Sequence, residues 1–163
     1  MAPAEYTSKR PLEDPGSSVL VVACSAHEFQ PYLREFLAEH LKLADGAYNL
    51  LAVPGGPQFL TLSEYLPKFA WAGQRWVSFA VDKLQVRRIV LVGHEGCAWY
   101  ADERFVPALL HALGHGGQTL SDHQRADLEH AVASLRASIP AAAVEAYFAA
   151  KGGDSHLVFA RVA

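Results

Sequence analysis

The residues of this chain best suited to chemistry are its two cysteines and one histidine: Cys24, and then His94 and Cys97 within Gly93-His94-Glu95-Gly96-Cys97. Thiolate sulfur and imidazole nitrogen are the donors zinc prefers, arranged as a tetrahedron. A histidine and a cysteine close together at a glycine-flanked turn have the backbone freedom to grip one ion. Three protein donors leave a fourth position open, which marks a catalytic zinc rather than a structural one. The residues alone leave other readings open. A lone cysteine at a strand end is often a small core side chain, and two thiols also fit redox chemistry without metal.

Four short apolar runs read as buried strands: Val19 to Cys24, Tyr48 to Val53, Arg88 to Val92 and His156 to Val162. Runs apolar on both faces suit a parallel sheet. Helical patterns fall between them. Pro31 opens one, with Leu33, Phe36, Leu37 and Leu41 on a face. Pro67 starts another, with Phe69, Trp76, Phe79, Ala80 and Leu84 as its stripe. Ser121 with Gln124 fits a capping box ahead of Leu128, Val132, Leu135 and Ile139. Ala141 to Ala149 reads as a last helix, stopped by Gly152-Gly153. The expectation is a single α/β domain: a mostly parallel sheet of about four to five strands, order 2-1-3-4, flanked by helices. That order brings Cys24, ending the first strand, beside His94, just past the third, at the point where strand order reverses.

Residues 1–18, rich in Pro, Glu, Asp, Ser and Lys, read as an irregular arm, with the domain running over 19–163. The chain has 163 residues, 51% hydrophobic and 19% charged, with a formal net charge of −3, which fits one globular domain. No basic patch stands out, so nucleic acid is not an expected partner. The apolar runs are too short to cross a bilayer, so neither is a membrane. No apolar segment follows a basic start, so the expected compartment is the cytoplasm, where thiols stay reduced.

The segment Val21-Val22-Ala23-Cys24-Ser25 resembles the first zinc-ligand strand of the β-class carbonic anhydrases. Ser78-Phe79-Ala80-Val81-Asp82-Lys83-Leu84, followed by Arg88 to Cys97, is similar to that family's helix, strand and H-x-x-C loop. The order of elements agrees, and the resemblance covers roughly Val19 to Tyr100. It implies that Cys24, His94 and Cys97 are zinc ligands. It implies reversible hydration of carbon dioxide to bicarbonate by a zinc-bound hydroxide, in a homodimer or higher homo-oligomer.

The chain departs from the family where the motif C-x-D-x-R is due. It reads Cys24-Ser25-Ala26-His27-Glu28, so both the aspartate and the arginine are replaced. Two thiolates already donate charge to the metal, so its bound water needs an outer acceptor to orient it. Ala26 has none on its side chain. Glu28 is a candidate acceptor or base, and His27 a candidate proton shuttle; both also fit plain roles in the first turn of a helix. Asp102 and Arg104 are distant candidates for the lost pair. Gly55, Gly56 and Gln58, in the loop after the second strand, are candidate pocket residues. The altered surroundings leave room for a related small electrophile such as carbonyl sulfide or carbon disulfide. The alternative is a non-catalytic or gated zinc-binding protein on the same scaffold, closed by a side chain such as Glu28. His111 and His115 have a metal-binding spacing for a helix, but Gly114, Gly116 and Gly117 read as loop. Trp71, Trp76, Trp99 and Tyr100 read as core or interface, with Trp99 and Tyr100, directly after Cys97, also candidates for a pocket wall or dimer contact, and His123 and His130 as the solvated face of their helix.

Overall fold

Six consecutive apolar residues, Val19–Cys24, form the central strand β1, and every one is buried. The computed structural model describes residues 5–13, 16–61, 67–102, 104 and 119–163; His111 and His115 lie outside them. β1 pairs in parallel with β2 (Asn49–Val53) on one side and β3 (Arg88–His94) on the other. β3 pairs in parallel with β4 (Ala143–Lys151), and β5 (Leu157–Arg161) closes the edge antiparallel to β4. The sheet order is therefore 2-1-3-4-5. The order reverses between β1 and β3, and their carboxyl ends make the crevice where open α/β sheets place their sites.

Both sheet faces are covered. Leu20 and Val22 of β1, with Ile89 and Leu91 of β3, pack against Val77, Ala80 and Val81 of α2 (Pro67–Lys83) and Leu128, Ala131, Val132 and Leu135 of α3 (Leu120–Ser138). The alternate residues Val19, Val21, Ala23, Val90 and Val92 meet Leu33 of α1 (Gln30–Glu35), and Phe36 and Leu37 just beyond it. The chain widens there to a π-type turn, Phe36–His40, in which the Leu41 amide reaches back to the Phe36 carbonyl at 3.2 Å. Successive strand residues point to opposite faces, which is why an all-apolar strand needs cover on both.

Four expectations need correction. Ala141 to Ala149 is not a helix; residues 143–151 are the fourth parallel strand. Its alanines are good helix formers, but Val144, Ala146 and Phe148 fill one core while Tyr147 and Ala149 fill the other. Pairing with β3 on one side and β5 on the other outweighs local preference. His156 to Val162 contributes instead the exposed antiparallel edge. The α3 cap is Thr119, whose hydroxyl accepts from the Asp122 amide at 3.1 Å while Asp122 accepts in return from the Thr119 amide. That places the cap two residues earlier than Ser121. In α2, Phe69, Trp76 and Phe79 are exposed, as is Leu84 just past its end, and Ala70, Val77 and Ala80 face the core. Small residues let this helix approach the sheet and push the large rings to its flank.

Candidate metal centre and its pocket

Cys24 ends β1 and His94 ends β3, and the loop after β3 turns back so that Cys97 joins them. All three are buried, and their ligating atoms lie within 4.8 Å of one another. The two sulfurs are 3.7 Å apart. Two Zn–S bonds of about 2.3 Å at a tetrahedral angle span roughly 3.8 Å, so the spacing fits one ion between them. His94 adds a second sign. The Glu95 carbonyl can only accept, so the 2.9 Å contact to His94 Nδ1 puts the ring proton there. Nε2 is then a bare lone pair, buried and with no hydrogen-bond partner. A buried unpaired nitrogen is costly, and a carbonyl-oriented imidazole is the usual form of a metal ligand.

The surroundings fix these groups. The Phe29 ring stacks on His94 with centroids 4.3 Å apart. The Gln124 amide, from α3, donates to the His94 carbonyl at 2.8 Å. The Glu95 amide donates to the Ala149 carbonyl at 2.8 Å, and the Glu95 carboxylate accepts from the Lys151 amide at 2.9 Å, tying the loop to β4. The Gln30 side chain donates to the Cys24 carbonyl at 2.6 Å. The hydrogen bond between the thiols splits their acidities. It lowers Cys97 to about 6, helped by backbone amides, and raises Cys24 to about 12, with burial adding to the rise. One sulfur is thus held as thiolate, the form that binds metal.

A small pocket opens on the trio, lined also by Gly55, Pro57, Gln58, Tyr100, Gln124 and Asp127. It offers ≈ 10 Å³ to the centre of a water-sized molecule, room for about one water. Gly55 has φ +76°, and a Cβ there would lie 2.3 Å from the Trp99 ring. Gly56, at φ +56°, sits against the ends of β1 and β3, where a Cβ would meet the Cys24 amide at 2.8 Å. It backs the crevice and does not line the pocket. Gln58 is buried, and its Oε1 accepts from the Trp99 indole at 2.5 Å.

His27 and Glu28 are not at this pocket. Their side chains are 99% and 58% exposed and contact each other at 3.1 Å. The turn after β1, closed by the Phe29 amide on the Ala26 carbonyl, sends both outward and turns Phe29 in. Asp102 forms a two-point pair with Arg104 at 2.9 and 2.7 Å, outside the pocket lining. The sequence left Asp127 unmarked, while Tyr100, a pocket-wall candidate from its place after Cys97, does line the pocket. The Tyr100 hydroxyl donates to Asp127 Oδ2 at 2.7 Å, and His123 Nε2 lies 3.5 Å from the same oxygen. His123 therefore faces Asp127 and not solvent. Burial pushes the Asp127 carboxyl above the ordinary carboxylate range, against the opposing pull of His123, Tyr100 and the nearby Gln58 amide.

No protein-family model matches the sequence, and no curated protein matches it significantly. Solved structures do. A carbonic anhydrase from Glaciozyma antarctica is 19% identical, with 94% of this chain and 85% of that one covered at a TM-score of 0.56. The β-carbonic anhydrase CafA of Aspergillus fumigatus is 14% identical, with 91% and 77% covered at a TM-score of 0.54. Tetrameric β-carbonic anhydrases of Sordaria macrospora are represented by a chain 15% identical, with 88% and 80% covered at a TM-score of 0.50. At these identities the likeness is one of architecture: this chain has the fold of the β-carbonic anhydrases.

Proposed function

We propose that this chain is a zinc-dependent, carbonic-anhydrase-like lyase that hydrates carbon dioxide reversibly. The observation that carries the reading is the buried Cys24–His94–Cys97 group, with its bare Nε2, opening on a one-water pocket at the crevice of this fold. Cys24 Sγ, Cys97 Sγ and His94 Nε2 would hold the metal. Zinc supplies Lewis acidity there, which makes water a nucleophile near neutral pH. The chain's own residues orient and exclude. Glu95 and Phe29 fix the imidazole, and Gly55, Leu128 and Tyr100 keep the pocket small. A water activated in this way attacks a small linear electrophile. Carbon dioxide is the first choice, with carbonyl sulfide or carbon disulfide as relatives. The exposed Glu28 does not support a gated site closed by that side chain. We further propose a homodimer or larger homo-oligomer, as in the tetrameric relatives.

Elemental analysis of the purified protein should find about one zinc per chain. His94→Ala and Cys97→Ala should each lose more than about 100-fold in zinc affinity, since outer partners of ligands alone cost 10- to 100-fold. Stopped-flow hydration assays across about pH 6 to 9 then test the reaction. Stoichiometric zinc with no turnover of any of the three substrates would sink the enzyme and leave the metal site standing.

A further inference from the structure

Hydration chemistry at this pocket needs an acceptor for the bound water, and the Ala26 side chain offers none. The wall carries one from another element. Asp127, on α3, is the one carboxylate among the described residues that line it, and its side chain is only 14% exposed. Tyr100 and His123 both contact its Oδ2, which fixes the carboxylate's orientation. Beside it stands Gln58, 2% exposed. The Gln58 oxygen is taken by Trp99, but its Nε2 makes no hydrogen bond, although the amide lies near enough to Asp127 to favour its charged form. Among the described residues, only two buried side-chain polar atoms lack a partner. They are Gln58 Nε2 and His94 Nε2, and both residues line this pocket. A buried N–H without a partner is paid for only if something else takes it up.

We infer that Asp127 and Gln58 are the recognition pair of this pocket: Asp127, positioned by Tyr100, accepts a hydrogen bond from a bound hydroxyl or water, and Gln58 Nε2 donates to an oxygen of the same ligand. The pair selects a small oxoacid monoanion that keeps a hydroxyl, with bicarbonate as the probe. A carboxylate at the wall repels an anion that has no proton to give it, such as azide. This assignment rests on the metal-centre reading above, but not on turnover.

The test uses cobalt-substituted full-length protein, whose visible spectrum reports anion binding without any assay of activity. Bicarbonate and azide are titrated separately and the ratio of affinities is compared. Asp127→Asn keeps an oxygen for the Tyr100 hydroxyl but removes the charge. It should shift the ratio about tenfold toward azide, the worth of one charge-assisted hydrogen bond. Tyr100→Phe should shift it part of the way, and Gln58→Met should weaken bicarbonate about tenfold. Asp102→Asn, at the exposed pair with Arg104, should leave the ratio within about twofold. The inference is overturned if Asp127→Asn binds cobalt fully yet keeps the wild-type ratio, or if Asp102→Asn shifts it equally. Should Asp127→Asn not fold, Tyr100→Phe and Gln58→Met decide: wild-type ratios in both reject the pair. A wild type that binds metal without turnover rejects the proposed reaction and leaves this ratio to judge the pair. A wild type that takes up no metal rejects both.

Discussion

A carboxyl group at the wall of a nearly dry pocket leaves a trace in stability. Asp127 is raised by burial above the ordinary carboxylate range. The folded chain therefore holds its proton to higher pH than the unfolded chain does. Where the native state binds more protons, stability falls as pH rises. The loss begins near the unfolded value, about 4, and is complete above the folded one. Asp127→Asn has no such loss. Urea denaturation of metal-free protein at a series of pH values should find the variant gaining on wild type across that window and holding the gain above it. A variant that loses ground with rising pH would contradict the buried-carboxyl account. Of the trio, strand order brings Cys24 and His94 together, and the family resemblance is what adds Cys97 and the metal. Asp127 was not visible in the sequence. Its partner Tyr100 is 27 residues away, and nothing in a helix reading His123-Gln124-Arg125-Ala126-Asp127 says which side meets the pocket. Glu28 misled for the opposite reason: closeness in sequence to Cys24 does not survive a tight turn.

At the scale of elements, α3 delivers Gln124, Asp127 and Leu128 to the site, so its start sets their register. The capping box at Thr119 and Asp122 fixes that start. Thr119→Ala should cost about 1 kcal/mol in denaturant titration, whereas Ser121→Ala, inside the helix, should fall within about 0.5 kcal/mol of wild type. Equal losses would mean that the cap does not set the helix. Both boxes fit the local pattern, and only the path of the chain into the helix chooses between them. The β4 error has a similar origin. Alternation in Val144-Glu145-Ala146-Tyr147-Phe148-Ala149 is blurred because both faces are buried. A strand covered on two sides loses the period that distinguishes it from a helix, and alanine then tilts the reading the wrong way. β1 and β3 escaped this because they are β-branched and end in glycine or chemistry-bearing residues.

For the whole molecule, the unsettled surface is the flank of α2. Phe69, Trp76 and Phe79 share it by helical spacing and are 39%, 47% and 56% exposed. Phe69 stacks on Trp99 at 6.0 Å, and Trp99 in turn holds Gln58. The flank is thus linked by ring contacts to the pocket wall. Large clustered aromatics at a surface mark an interaction site more often than a solvated one. A second copy of this chain is the occupant that the proposed homo-oligomer calls for. Buried interface aromatics are commonly worth 2 kcal/mol or more each. The double variant Trp76→Glu, Phe79→Glu should therefore weaken self-association by more than about 100-fold. Sedimentation velocity at micromolar concentration should show wild type as a dimer or larger and the variant as monomer, with far-UV circular dichroism unchanged. Because Phe69 is left intact, its contact with Trp99 persists, and zinc stoichiometry should hold in the monomer. A wild type that sediments as monomer, or a variant that associates as tightly as wild type, would remove this flank as the contact between copies.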